Sequence, residues 1–136
     1  MQEDALIKEL LASAKTIAVV GLTDSPIRPS YGVSAYMQQK GYRIIPVNPN
    51  IHEALGEKAY ASLRDIPKDV KIDIVDVFRR PDAVPEIVDE VLELKLPALW
   101  LQETVIHQQA AEKARRAGVK VMMDLCILKE HRRLVR

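Results

Sequence analysis

Thr16-Ile17-Ala18-Val19-Val20-Gly21-Leu22-Thr23-Asp24-Ser25 decides the fold. An unbroken run of β-branched and apolar residues, with no polar alternation, predicts a strand buried on both faces, and the glycine that ends it predicts a tight turn. Just before it, Leu6, Ile7, Leu10 and Leu11 recur at helical spacing in an otherwise polar segment, which predicts an amphipathic helix. Beyond it, after Pro26 and Pro29, Ser30 is the expected cap of a helix that turns Val33, Tyr36 and Met37 inward and stops at Gly41.

The same alternation continues down the chain. Arg43–Val47 reads as a second strand, and 72–78 as a third that breaks at Arg79-Arg80-Pro81. Between them 48–71 is less regular, with a brief edge strand expected over 58–60 and a helical turn over 62–66. Val84, Ile87, Val88, Val91 and Leu92 share one helical face, which ends near Lys95-Leu96-Pro97. Ala98–Leu101 is a further strand, 107–117 a helix with Ala110, Ala111 and Ala114 on its small face, 119–123 the last strand, and 129–133 a charged tail. Strands separated by helices of this length imply right-handed βαβ crossovers. The fold class is α/β, a Rossmann-like doubly wound, mainly parallel sheet with helices on both faces, and 1–136 is read as a single domain.

Composition narrows the function. A net charge of +1 supplies no global field for nucleic acid, and 4% aromatic residues leave few bases-stacking platforms. No apolar run is long enough to cross a bilayer, and the first residues lack the apolar core of a signal peptide. No nucleic acid, no membrane and a cytoplasmic location are therefore expected. The lone cysteine, Cys126, excludes a disulfide within the chain, and no cluster has metal-ligand spacing.

In a parallel sheet the carboxyl ends of the strands share one rim, so the turns after Val20, Val47, Val77 and Leu101 converge there. A dinucleotide fingerprint needs glycines at G-x-G-x-x-G, but Thr23 and Pro26 stand at the second and third glycine positions. The second strand exits into Val47-Asn48-Pro49 rather than a ribose-binding carboxylate, so both anchors of an NAD site are missing. No Gly-Lys-Ser/Thr follows the first strand, which excludes a P-loop. What remains suits phosphate: hydroxyls on Thr23 and Ser25, amides at a helix start, and the charges of Arg28, Arg79 and Arg80. Val47 and Pro49 offer an apolar wall.

Val-Val-Gly-Leu-Thr at 19–23, Pro-Val-Asn-Pro at 46–49, Asp-Val-Phe-Arg at 76–79, Leu-Trp-Leu-Gln at 99–102, and Met-Asp-Leu-Cys with Glu-His-Arg-Arg-Leu near the end carry a resemblance. From Thr16 to Leu134 the chain resembles the small bacterial and archaeal CoA-binding domain proteins, themselves similar to the N-terminal domain of the succinyl-CoA synthetase α subunit. The resemblance implies a cofactor, coenzyme A or an acyl-CoA, held at the strand ends by its adenosine diphosphate portion. Carried over by position, the phosphate loop is Gly21, Thr23, Asp24 and Ser25, the adenosine-side turn is Val47, Asn48 and Pro49, and the far rim is Phe78, Arg79, Gln102 and Glu103. Arg28 and Arg80 join them on charge. The family's Gln-x-Gly reads Gln102-Glu103-Thr104 here, and the synthetase's phosphohistidine domain is absent from the sequence, so binding without catalysis is the expectation. Alternatives stay open: an acyl-CoA enzyme or redox protein using Cys126, and a ligand-free interaction subunit. Plain structural roles stand beside these: Trp100 as core or subunit-interface filler, Asp76 as no more than a salt-bridge partner of the arginines, Gln102 and Glu103 equally as caps of the next helix, and Cys126 after its apolar strand as a small buried side chain; a homodimer is the expected assembly.

Overall fold

The computed structural model describes residues 2–135. Its centre is a parallel sheet built from β1 (Thr16–Val20), β2 (Arg43–Val47), β5 (Ile74–Val77), β6 (Ala98–Leu101) and β7 (Lys120–Met122), in the order β2-β1-β5-β6-β7. A small antiparallel hairpin, β3 (Glu53–Ala54) and β4 (Glu57–Lys58), stands apart from it. The predicted doubly wound class holds. Alternation along β1 divides the core: Ile17 and Val19 join Ile7, Leu11, Met37, Trp100 and Ile127, whereas Ala18 and Val20 join Val75, Val77, Val88, Leu99 and Ala111. The first face carries α1 (Gln2–Ser13), α2 (Pro29–Gln39) and α5 (Ile127–Leu134); the second carries α3 (Val84–Glu93) and α4 (Gln108–Arg116). Trp100 is fully buried, as expected, and its indole N–H donates to the Leu125 carbonyl at 2.9 Å.

Two local expectations are corrected. The edge strand expected over 58–60 forms at Glu57–Lys58 instead, because Leu55 and Gly56, both at positive φ, close a two-residue hairpin turn; Tyr60 makes only a single parallel bridge to Val47. The charged tail is a helix, α5. Ile127, His131 and Leu134 repeat at i, i+4 and i+7, and His131 is buried with its Nδ1 3.1 Å from the Tyr36 hydroxyl of α2. Lysine and arginine on the outer face hid that stripe.

β1 lies between β2 and β5, so the chain leaves it in opposite directions on its two sides. This is the switch point at which open α/β sheets leave a crevice. Gly21 closes the strand there, its N–H donating to the Val47 carbonyl at 2.8 Å while the Phe78 N–H donates to Val20 at 2.8 Å. Its φ is +92°, and a Cβ would collide with the Phe78 carbonyl oxygen. No helix among the described residues is long and apolar enough to cross a membrane. Gly21→Ala is expected to lower stability by about 2 kcal/mol or more, from the left-handed backbone plus the collision, in urea denaturation. A loss no greater than that of Gly32→Ala, where a Cβ meets nothing within 4 Å, would contradict the close approach.

Candidate functional site

A cleft of about 810 Å³ opens at the carboxyl rim over this switch point. Eight of the residues expected there line it: Gly21, Thr23, Arg28, Phe78, Arg79, Arg80, Gln102 and Glu103. Pro29, Ser30, Val33, Pro81, Thr104, Val105 and Cys126 complete the wall. Asp24, Ser25, Val47, Asn48 and Pro49 do not reach it. Val47 is buried in the core, so the apolar wall assigned to it is not available, and Pro49 is exposed. Asn48 braces the loop instead: its Nδ2 donates to the Leu22 carbonyl at 3.1 Å and its Oδ1 accepts the Asn50 N–H at 2.9 Å.

The near wall is the turn from β1 into α2. Ser30 is not the cap: Arg28 holds that position without a side-chain bond, Pro29 opens the helix, and the Ser30 hydroxyl accepts the Thr23 N–H at 3.3 Å. The serine therefore ties the loop to the first turn, and α2 presents an uncapped amino terminus, favourable to anions. Charge adds to this. Arg43, Arg64, Arg116 and Arg133 pair with carboxylates, whereas among the described residues the guanidinium groups of Arg28, Arg79, Arg80 and Arg132 have no carboxylate or hydrogen-bond partner. Arg132 lies over the Tyr36 ring, and the other three line one cleft.

The floor is polar beneath its surface. Asp76 is buried in β5 and accepts from Gln102 Nε2 at 2.5 Å, while Gln102 Oε1 accepts the Ile127 N–H at 3.4 Å, the first amide of α5. Asp76 is thus not a salt-bridge partner of the arginines. Burial pushes its carboxyl up to about 7, against the opposing pull of the Gln102 and Val77 donors. Gln102 and Glu103 do not cap α4; His107 does, its Nδ1 accepting the Ala110 N–H at 3.1 Å, and Glu103 pairs with Lys129 at 3.0 Å.

On the far wall Thr104 adopts φ +70°, the left-handed region that glycine favours. Its N–H is held by Asp124 Oδ1 at 2.8 Å. Cys126, 9% exposed, precedes α5 and borders the cleft. Reading 129–133 as tail concealed that placement, because a helix starting at Ile127 would have set Cys126 on the rim.

A second hollow of about 390 Å³ lies at the opposite, amino-terminal edge of the strands, between Ile66, Ile72 and Leu96, with Lys68, Lys71 and Lys95 around it. It has neither the switch point nor a helix amino terminus. Among the described residues no group of three His, Cys, Asp or Glu is placed to hold a metal ion.

Sheet order, switch-point cleft and bare helix terminus define a Rossmann-like α/β class whose ligands sit at the carboxyl rim. Residues 15–132 match the CoA binding domain family, and the chain belongs to it. The uncharacterized protein YneT of Bacillus subtilis is 50% identical over 127 residues, 93% of each chain. A solved structure from Thermus thermophilus shares 42% identity and a TM-score of 0.90, over 96% of this chain and 98% of that one. The ADP-forming acetate–CoA ligase II of Archaeoglobus fulgidus is 35% identical over 78 residues, which make up 56% of this chain and 11% of the ligase. The family supports CoA binding in general.

Two substitutions test the site's construction. Because Asp76 is raised, the folded chain holds a proton that the unfolded chain has released between the ordinary carboxyl value of 3.8 and about 7, so the native protein loses stability as pH rises through that window. Asp76→Asn keeps the neutral form. Its stability advantage is expected to grow by at most about 1.4 kcal/mol per pH unit across the window and to level off above it, in urea denaturation from pH 4 to 8. An advantage that does not change with pH would contradict the buried carboxyl. Thr104→Gly should gain about 1 kcal/mol, strain relief exceeding the extra freedom of the unfolded chain; a loss would show that the threonine is not strained.

Proposed function

We propose that the chain binds coenzyme A or an acyl-CoA at the carboxyl rim through its adenosine diphosphate portion, without chemistry of its own. The observation that carries this reading is the convergence of Arg28, Arg79 and Arg80, each free of protein partners, on one cleft. A structure rarely gathers unpaired guanidinium groups unless an anion completes them, and arginine's planar fork suits phosphate oxygens. Thr23 and the amino terminus of α2 supply further donors beside them. Gly21 lets backbone approach backbone where a side chain would fill the space. Phe78, Val33 and Val105 give the cleft apolar surface for the less polar arm of the ligand, with Gln102 and Glu103 on the far rim. Asp24, Ser25, Val47, Asn48 and Pro49 support the reading indirectly, by shaping the loop and the end of β2.

Cys126 on the cleft wall favours one second reading. Its thiolate would attack the carbonyl carbon of a bound acyl-CoA, forming a Cys126 thioester and expelling the CoA thiolate, which takes up the proton. Mass spectrometry after incubation with acetyl-CoA separates the two: an unmodified chain fits binding alone, an acetyl adduct fits the thioester reading.

Isothermal titration with CoA tests the proposal. Saturable heat is expected, and Arg28→Ala or Arg79→Ala should each weaken binding by about 1.5–3 kcal/mol, the range for charge-assisted hydrogen bonds. No heat at millimolar CoA, or native affinity in both variants, would contradict it.

A further inference from the structure

We infer that Asp76 is a positioning residue for the cleft: its ionised carboxylate holds the Gln102 carboxamide in the rotation that also receives the first amide of α5, so ligand affinity follows the proton on a residue no ligand touches. The inference rests on the CoA-binding reading for its ligand but not for its internal geometry.

The geometry is one of donors and acceptors. Gln102 has a donating nitrogen and an accepting oxygen, and both are used: Nε2 toward Asp76 at 2.5 Å, Oε1 toward Ile127 N–H at 3.4 Å. The polar neighbours of the Asp76 carboxyl, Gln102 Nε2 and the Val77 backbone, both donate. An ionised carboxylate accepts from both. A protonated one keeps an accepting oxygen but brings an O–H of its own, which competes for Gln102 Oε1 as acceptor and meets it when the carboxamide turns over. That rotation takes the oxygen from Ile127 and sets a nitrogen against its N–H. The first turn of α5 then loses one of its tethers to the sheet, leaving the Leu125 bonds to Trp100 and Leu101, and the wall of the cleft at Cys126 is held less firmly.

The surroundings leave this chain as the route. In register beside Asp76 are Val19 of β1 and Trp100 of β6, neither of which titrates. The same face of the sheet carries Ser30 and Ser34 on α2, both buried and uncharged. On α5 the titratable and charged groups are Lys129, paired at the surface with Glu103, Glu130, paired with Arg133, which also holds Asp4 of α1, His131, engaged with Tyr36, and Arg132, which lies over the Tyr36 ring; Cys126 precedes them. Arg28, Arg79 and Arg80 line the cleft. Keeping a carboxylate in an apolar sheet costs stability, and a site retains such a group where its charge is used. The carboxyl raised to about 7 places the switch near neutrality.

The test uses the whole chain, native and Asp76→Asn, in two measurements. Asparagine mimics the protonated acid, bringing N–H donors where the carboxylate brings none. With CoA as the probe, Asp76→Asn should bind about tenfold more weakly than native at pH 8, the effect of one pKa unit of linkage, and the two should converge by pH 6. Titration of CoA's own phosphates is common to both proteins and cancels in the ratio. A merely structural role predicts the opposite, since the variant is the more stable protein. In ligand-free protein, the Ile127 amide resonance should titrate with a midpoint near 7 in the native chain and stay fixed in Asp76→Asn. A ratio independent of pH, or an Ile127 amide that does not move, would overturn the inference. If native protein takes up no CoA, the functional reading fails and the affinity part of the inference with it, and the Ile127 titration still decides whether the Asp76 proton sets the Gln102 rotation.

Discussion

The structure depends on the contact between Gly21 and Phe78. There the ends of β1 and β5 come so close that a side chain on residue 21 would occupy the Phe78 carbonyl oxygen. The approach joins the two strands at the carboxyl rim where β1 separates β2 from β5, and it lets the turns that follow them face each other across the crevice. Arg79 and Arg80 follow Phe78 directly, and Thr23 and Arg28 follow Gly21 at the start of α2. One missing methyl group thus sets the geometry of the cleft.

Around that contact the protein carries costs that the core would not need. Asp76 lies in an apolar sheet with its carboxyl displaced upward by burial. Thr104 holds a backbone conformation that suits glycine. Three arginines line the cleft without carboxylate partners. Each of these lies on or beneath the same rim, while the helices behind it are apolar inside and ion-paired outside, as in Arg64 with Glu93 and Lys113 with Asp89. Left-handed residues also occur away from the rim, at Leu55 and Lys95, but a buried carboxyl beside three unpaired guanidinium groups is found only here among the described residues, and such a combination marks a site whose demands differ from those of folding.

Where burial dominated, the sequence was legible. Buried parallel strands announce themselves as unbroken apolar runs, so Thr16–Val20, Arg43–Val47 and Ala98–Leu101 match their elements residue for residue. The convergence of strand ends follows from parallel topology alone, which is why Gly21, Thr23, Arg79 and Gln102 were foreseen on one rim. Elsewhere tertiary partners decide. Ser30 resembled a cap, but the helix starts two residues earlier, at Pro29, and the serine turns to Thr23. Asp76 resembled a partner for Arg79, yet strand alternation sends neighbouring residues to opposite sides and buries the carboxylate. α5 was invisible because only one side of a short helix is apolar, and the place of the buried Cys126 beside the cleft was hidden with it.

Amide chemical-shift mapping during a CoA titration tests the central claim most directly, because it reports where on the molecule the ligand sits. The account predicts the largest shifts at Gly21, Thr23, Phe78, Arg79 and Gln102, at the carboxyl ends of the strands. Shifts centred instead on Lys68, Lys71 and Lys95, around the hollow at the opposite edge of the sheet, or no shifts at all, would contradict it.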